Sequence, residues 1–532
     1  MGNNNLFKYI FAAVIVIMVS YIIYLFVSKQ SNEIITEVDQ TSTTSTIHTD
    51  LRFAIASIDT FNPILTNNRN VLELTKIVYD PLVTLDSNYK PEYCLAEDVI
   101  KVDDVTYVIK VKHGIVFENN LPLNAYDVQY TIDLIKRGDI FSTYKENVKN
   151  IIGVAVPDED PYQITINLSE PTPFFDYYLT FPIMSKTYYE GEDFASSLKV
   201  PVSTGMFKVI DYSSNMIKLA PNELYWNREN KKPMATEIAI NLYDNIGEVY
   251  SAFKNGELDA LVIKITNVED YIGNLGYKKI EFKARNYDYL AINTQSDILS
   301  DAAVRSAISL LIDRNNVVAT SLGKGYVASN FSLDMGSWLY TKDLTIDSNS
   351  EEAFNILVND GWTRTTNSWT KRIDGRTKRL EFNMVVNNND EARMAAAETI
   401  KEQLSRAGIF VDLRIVNPDQ YNYILSNKEF DTAIAGMRLG FSPSVRSFFG
   451  ENNLANYYND EVNNILNTVE NTKDDGILHE NYNRLFDIYM QDVPYIGLYR
   501  NTEIIVYNQN LVSNMTANSF NIFHNIEKWY RQ

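Results

Sequence analysis

The residue types that most often carry chemistry are scarce and scattered in this chain. A single cysteine, Cys94, rules out an intrachain disulfide and a thiolate cluster for zinc or iron–sulfur. The four histidines, His48, His113, His479 and His524, lie far apart and suggest no metal site. There is no G-x-S-x-G elbow, no H-E-x-x-H pair and no cysteine–histidine dyad in a sensible context. Acidic residues are plentiful, but none is marked out from a solvated surface. Bond-breaking chemistry is therefore disfavoured, and non-covalent recognition remains. The loop aromatic Trp338, in SLDMGSWLY, is a candidate ligand contact. Other conspicuous residues have plainer readings. Tyr225-Trp226 reads as core packing with a hydrogen-bonded indole, Cys94 as a buried thiol, and His113 as an exposed strand-turn residue. Arg305 and Asp313-Arg314 read as supports of a helix over Ala302–Ile312 and of its C-terminal end.

The elements that must position such residues follow from composition and periodicity. At 532 residues the chain exceeds what one hydrophobic core usually organises, so more than one lobe is expected. Apolar residues make up 45%, and the 35 Tyr and 25 Phe argue for a folded body. A net charge of −20 repels phosphate backbones, which argues against nucleic-acid binding. Alternation predicts strands over Leu51–Ile58, Thr106–Val111, Ile164–Leu168, Ile217–Leu219 and Glu237–Ile240. Helical spacing predicts helices over Val71–Tyr79, Ala125–Lys136, Ile246–Lys254 and Ala302–Ile312, the second of them capped by Asn124 with Asp127 in its first turn. The order strand Leu380–Val386, helix Glu391–Ala407 stopped by Gly408, strand Ile409–Val416 predicts a βαβ unit. The class is mixed α/β, with no repeat at a fixed period.

The amino terminus reads as an address. Tyr9–Val27 is uncharged and long enough for a helix that spans the ~30 Å hydrocarbon core. Bulky Leu25-Phe26-Val27 and the absence of an A-x-A pattern favour an uncleaved anchor over a cleaved signal. No cysteine directly follows the run, since Cys94 lies far downstream, which sets lipid anchoring aside. Lys8 and Lys29 flank it almost evenly, so the external placement of the large domain rests mainly on the signal-like start. Thr41–Thr46 then reads as part of a polar tether.

Ordered motifs carry a resemblance. Leu95–Val99 (LAEDV) precedes Val105–Ile132, within which Thr106, Tyr107, Lys112, Gly114, Phe117, Pro122, Leu123, Ala125, Asp127 and Val128 form one signature. Pro201–Val209 (PVSTGMFKV), Asn222–Glu229 (NELYWNRE), Asn255–Ala260 (NGELDA) and Tyr289–Val318 follow in order. From about Leu51 to the C-terminus the chain resembles the family 5 extracellular solute-binding proteins of ABC importers, the oligopeptide, dipeptide and nickel binders. The resemblance implies a two-lobed, periplasmic-binding-protein-like α/β fold of type II, in the large three-subdomain class, with a hinge between lobes and, here, an N-terminal transmembrane helix in front. The implied organisation is an anchor (1–29), a tether (30–50), lobe I in parts (51–90 and 201–285), an extra subdomain of lobe I (91–200), lobe II (286–497) and a C-terminal return to lobe I (498–532). Gly205 and Asn286 fall where the chain would cross between lobes.

In relatives, ligand contacts come from the loop after the first strand, from the strand of the asparagine-threonine motif, and from a segment after a tyrosine-aspartate-x-alanine strand. The corresponding residues here are Asn67, Asn68 and Asn70; Asn293; and Gly436, Met437, Arg438, Leu439 and Gly440. Peptide-binding members often place an aspartate near that last loop, for the ligand's α-amino group. This chain has Arg438 and no carboxylate there. Arg438 then either favours an acidic or carboxylate-bearing ligand or merely pairs with a surface acid. The resemblance implies no catalysis, no cofactor and no metal, and a monomeric exported domain whose partners are a peptide or other small solute, a permease and the membrane. A sensory receptor of the same fold, or a binder of a nickel chelate, is the competing expectation.

Overall fold

The computed structural model describes residues 49–532 except 192, 195–198, 201, 264–275, 334–335 and 341–342. The apolar run Tyr9–Val27, residues 30–48 of the tether and Pro201 lie outside the described residues, while Asp50, expected in the tether, opens the first strand; among the described residues no helix is long and apolar enough to cross a membrane.

Strand β1 (Asp50–Ala56) alternates as expected and buries Leu51, Phe53 and Ile55. It pairs in parallel with Glu237–Tyr243, and that sheet continues antiparallel through Met216–Pro221 and Phe207–Tyr212. Helix α1 (Arg69–Thr75) follows β1 and is capped by the Asn68 side chain, which accepts from Asn70 N. A second sheet, of four antiparallel strands, runs in the order Ala96–Asp103, Thr106–Val111, Gln163–Leu168, Ile151–Ala155. Beside it lies α2 (Ala125–Lys136), whose start is a capping box: the Asn124 side chain accepts from Tyr126 N while Asp127 accepts from Asn124 N.

The remainder supplies β2 (Tyr277–Ile292), β3 (Glu381–Asn387), α3 (Glu391–Arg406), β4 (Phe410–Val416), β5 (Thr432–Arg438), α4 (Asp460–Glu470), α5 (Asp475–Asp492) and β6 (Tyr495–Asn508). They build a large mixed sheet in the order Ala260–Ile263, β6, β2, β5, β3, β4. The βαβ unit is present: β3 and β4 are parallel with α3 between them, and Gly408 ends that helix region at a φ of 85°, where a side chain would be strained.

One core gathers side chains from Leu51 to Ile240 together with Ile505, Ile522 and Trp529. Two others gather side chains between Tyr287 and Tyr499. We call the parts built on them lobe I and lobe II. Strands β2 and β6 run from one to the other, and the register between them shifts between Lys283 and Tyr287, at the passage. Periodicity did not predict these two long strands, although the resemblance placed a crossing at Asn286, a strand at the asparagine-threonine motif and a return from 498. On its lobe II half β2 is buried on both faces from Tyr287 to Ile292, so the alternation that marks a strand is missing there.

The cleft between the lobes as candidate functional site

The site is assembled where β2, β5 and β6 meet α1. Arg69, at the first position of α1, makes a two-pronged ion pair with Glu503 on β6, with Nη2 to Oε2 at 2.6 Å. One turn on, Glu73 binds Lys76 at 3.0 Å. On the opposite wall β2 and β5 pair from Asn286–Arg438 to Ile292–Thr432. Asp288, raised by burial against the pull of Arg393, takes a 2.6 Å bond from that guanidinium. A Cβ on Gly436 would stand 2.2 Å from Arg393 Nη2 and 2.3 Å from Asp288 Oδ1, so a side chain at this strand position would displace the pair from its present geometry.

Arg285 shapes the loop beyond β5. Its backbone carbonyl accepts from Leu439 N at 2.8 Å, and its guanidinium donates to the carbonyls of Leu439 and Gly440. It lies over the rings of Tyr89 (5.3 Å) and Phe441 (5.2 Å). Phe441, from lobe II, stacks on Tyr89 and meets Phe520 edge-on, both from lobe I.

Three adjoining cavities of about 370, 320 and 290 Å³ open here and share Arg438 as a wall. The first is bounded by α1 and by 519–521 on the lobe I side and by Arg438, Gly440 and Phe441 on the other. Every carboxylate on these walls holds a base: Glu503 with Arg69, Glu73 with Lys76, Glu146 with Lys149, and Asp288 and Asp390 with Arg393. The Arg438 side chain, exposed at the junction, makes no hydrogen bond or ion pair among the described residues. Nor do those residues offer any group of three or more His, Cys, Asp or Glu placed to hold a metal ion.

The residues singled out from sequence separate into groups. Gly436, Met437, Arg438 and Gly440 line the cleft cavities, while Leu439 packs against the lobe II core. Asn286 lines two of them beside the register shift. Asn293 lies at the far end of β2, bonded to the carbonyls of Lys428 and Phe430 and to Asn456. Asn68 caps α1 and bonds Ala56 and Ser57, Asn67 N donates to Asp59, and Asn70 borders a small separate cavity of about 50 Å³. Trp338 borders another pocket, described below. Gly205 donates to Val78 O at 3.0 Å, and a Cβ there would sit 2.2 Å from that oxygen, so close packing alone demands glycine. Sequence reasoning placed Arg69 only within the candidate segment Asn67–Asn70, without a role, and missed Glu73, Lys76, Arg285 and Phe441. Arg69, Glu73 and Lys76 recur at helical spacing opposite Val71 and Leu74, a polar face that could have been read as facing a cleft.

The Tyr225-Trp226 reading holds, since Tyr225 is buried and Trp226 Nε1 donates to Asp80 at 2.8 Å. Cys94 is free and buried, and His113 is exposed and stacked on Tyr162. Arg305 and Arg314 go beyond their expected role. Both are buried and reach carbonyls of other elements, those of Asp492 and Gly497 respectively.

Two lobes joined by crossing strands and a cleft walled from both sides define a solute-binding protein, which captures and releases its ligand without altering it. Residues 90–456 match the middle region of the bacterial extracellular solute-binding proteins, family 5, and the chain belongs to that family; it is a binding protein, not an enzyme. The oligopeptide-binding protein AppA of Bacillus subtilis is 23% identical over 88% of this chain and 89% of its own. Among solved structures, a nickel ABC transporter protein from Bacillus halodurans is similar with a TM-score of 0.74 at 18% identity, covering 91% of this chain and 100% of that one. The unliganded open form of the murein tripeptide-binding protein MppA has a TM-score of 0.76 at 16% identity, covering 91% and 97%.

Proposed function

We propose that this protein is a membrane-anchored extracellular receptor that captures peptides between its lobes and delivers them to the permease of an ABC importer. The observation that carries the proposal is the set of cavities walled by α1 on one side and by Arg438–Phe441 on the other, a volume that lobe closure would seal around a ligand. Similarity over most of the chain to an oligopeptide-binding protein supports the peptide class. The anchor is Tyr9–Val27, with 30–50 as tether; lobe I takes 51–90 and 201–285 with its extra subdomain 91–200, lobe II takes 286–497, and 498–532 returns to lobe I. Asn286, beside the shift in register, is the hinge position, whereas Gly205, expected as a second one, serves close packing inside lobe I against Val78.

The state of the charges favours a ligand that carries a carboxylate. Each wall carboxylate already has a basic partner, Asp288 and Asp390 sharing Arg393, whereas the Arg438 guanidinium has its donors unused. An acidic peptide meets that requirement. So does a carboxylate chelate of a metal ion, the second reading, in which the metal is cargo. Native mass spectrometry of the protein purified without refolding separates them: a heterogeneous set of peptide masses is expected, and a single small chelate would sink the peptide reading. Arg438→Ala is expected to weaken acidic peptides about tenfold and neutral ones hardly at all. Equal affinities before and after the change would remove Arg438 from the site.

A further inference from the structure

A second pocket, of about 460 Å³, lies at the seam of the lobes. Lobe I contributes Tyr93, Tyr107, Phe174, Phe175 and Tyr177; lobe II contributes Trp338 and Leu478. Its volume and aromatic lining are those of a small-ligand site rather than a packing defect. The wall charges are spoken for: Lys473 binds Asp176 at 3.0 Å, Lys101 binds Asp104 at 2.9 Å, Lys90 binds Asp475, and Glu470 is clamped by Arg446. A charged guest would find no partner here without breaking one of these pairs. An uncharged ring would find ring faces and edges on several sides.

The pocket adjoins the cleft. Tyr177 is a wall both of it and of the 370 Å³ cleft cavity, and its hydroxyl accepts from Trp338 Nε1 at 3.3 Å while donating to Tyr89 O at 3.0 Å. This tyrosine is held in place from both lobes, between the two spaces. We infer that the seam pocket receives an uncharged aromatic side chain of the ligand whose backbone lies in the cleft, so that the substrates are peptides with an aromatic residue set apart from their acidic end. The inference rests on the cleft reading above and adds a selectivity that reading does not contain.

Isothermal titration calorimetry tests it with two kinds of probe: an alanine pentapeptide with its single-phenylalanine variants, and indole alone. The wild-type protein is expected to bind one phenylalanine variant about tenfold more tightly than the parent, and to bind indole saturably. Thr472→Trp, which fills the pocket from the lobe II loop, is expected to abolish both the phenylalanine preference and indole binding while leaving the parent peptide's affinity unchanged. Leu478→Phe narrows the same space from α5 and is expected to lower both, which covers the case of a poorly folded tryptophan variant. A phenylalanine preference that survives both changes overturns the pocket and leaves peptide capture standing. If no peptide binds but indole binding disappears in Thr472→Trp, the peptide reading fails and the pocket stands. No phenylalanine preference and no indole binding in the wild type overturn the inference outright.

Discussion

The two lobes bury charge in opposite ways. Three buried arginines, Arg305 and Arg314 in lobe II and Arg500 on β6 packed against it, answer mainly to carbonyl oxygens. Arg305 donates to Asp492, Val493, Leu299 and Ser300; Arg314 to Gly497 and Ser309; and Arg500, with 0% of its surface exposed, to Ser332 at 2.9 Å and to Ser329 Oγ while lying over the Tyr287 ring. Lobe I holds carboxylates instead. Burial pushes Asp80 up to about 6 against its bond from Trp226, Glu118 up to about 7 against Lys208 and Ser203, and Asp127 up to about 6 against the backbone N–H groups of Asn124 and Lys186. A guanidinium keeps its charge at any physiological pH and brings five donors, so it suits places where loop and helix-end carbonyls converge. A buried carboxylate accepts from N–H groups and changes its charge near neutrality. Lobe II is thereby weighted towards groups that ignore pH, with Asp288 beside Arg393 as its exception, and lobe I towards groups that respond to it.

The sharpest way to break this contrast is Arg500→Met. The thioether keeps much of the volume but leaves the Ser332 carbonyl and the Ser329 hydroxyl without their donor, and a loss of about 3 kcal/mol in the free energy of unfolding is expected. Urea titration measures it, and a loss below about 1 kcal/mol would mean that the arginine is no better placed than an apolar side chain. The lobe I half rests on linkage. The three folded-state values lie above the ordinary 3.8 and 4.5, so the folded protein holds more protons. Their stabilising contribution is full below about pH 4 and is lost as pH rises through 6 to 7. The melting temperature should therefore climb from about pH 8 to about pH 5. His524, held below its ordinary value by burial, works in the opposite sense, so the decisive quantity is a difference between variants. Asp80→Asn, which still accepts from Trp226, should raise stability at about pH 8 by on the order of 1 kcal/mol and flatten the rise. An unchanged slope would show that Asp80 does not carry it.

How far these features could be read in advance depends on how local their causes are. The capping box at Asn124 and Asp127, the βαβ unit ending at Gly408, and strand Thr106–Val111 lie within short windows and were legible. The crossing strands were not, because burial on both faces of Tyr287–Ile292 erases the alternation a reader looks for. The cleft was half legible. Motif order pointed to Gly436–Gly440, yet Arg69 and Glu503 become one ion pair only when a helix and a strand far apart in sequence meet. Asn68, conspicuous as an amide in a candidate binding loop, turned out to be needed as a helix cap, a role equally natural for asparagine.

Between the two lobes the charge pattern changes again, to pairs in contact with water. Lys473 Nζ, on lobe II and half exposed, reaches the lobe I oxygens Asp176 Oδ2 (3.0 Å), Tyr93 Oη (3.1 Å) and Val99 O (2.9 Å), and Lys101 Nζ reaches back to Asn471 at 2.7 Å. Solvent-screened pairs of this kind are worth at most about 1 kcal/mol, so Lys473→Ala should change the unfolding free energy by less than that. Its effect should fall on the opening of the lobes, because these bonds cross from one to the other and nothing inside either lobe depends on them. Spin labels on α2 and α5, read by double electron–electron resonance, should report a longer mean separation in ligand-free Lys473→Ala than in the wild type. About 1 M salt should lengthen the wild-type distance and leave the variant nearly unmoved. A large loss of unfolding free energy with an unchanged distance would place Lys473 among the buried charges of a single lobe, and the division between pH-sensitive and pH-insensitive halves would then have to be redrawn across the seam.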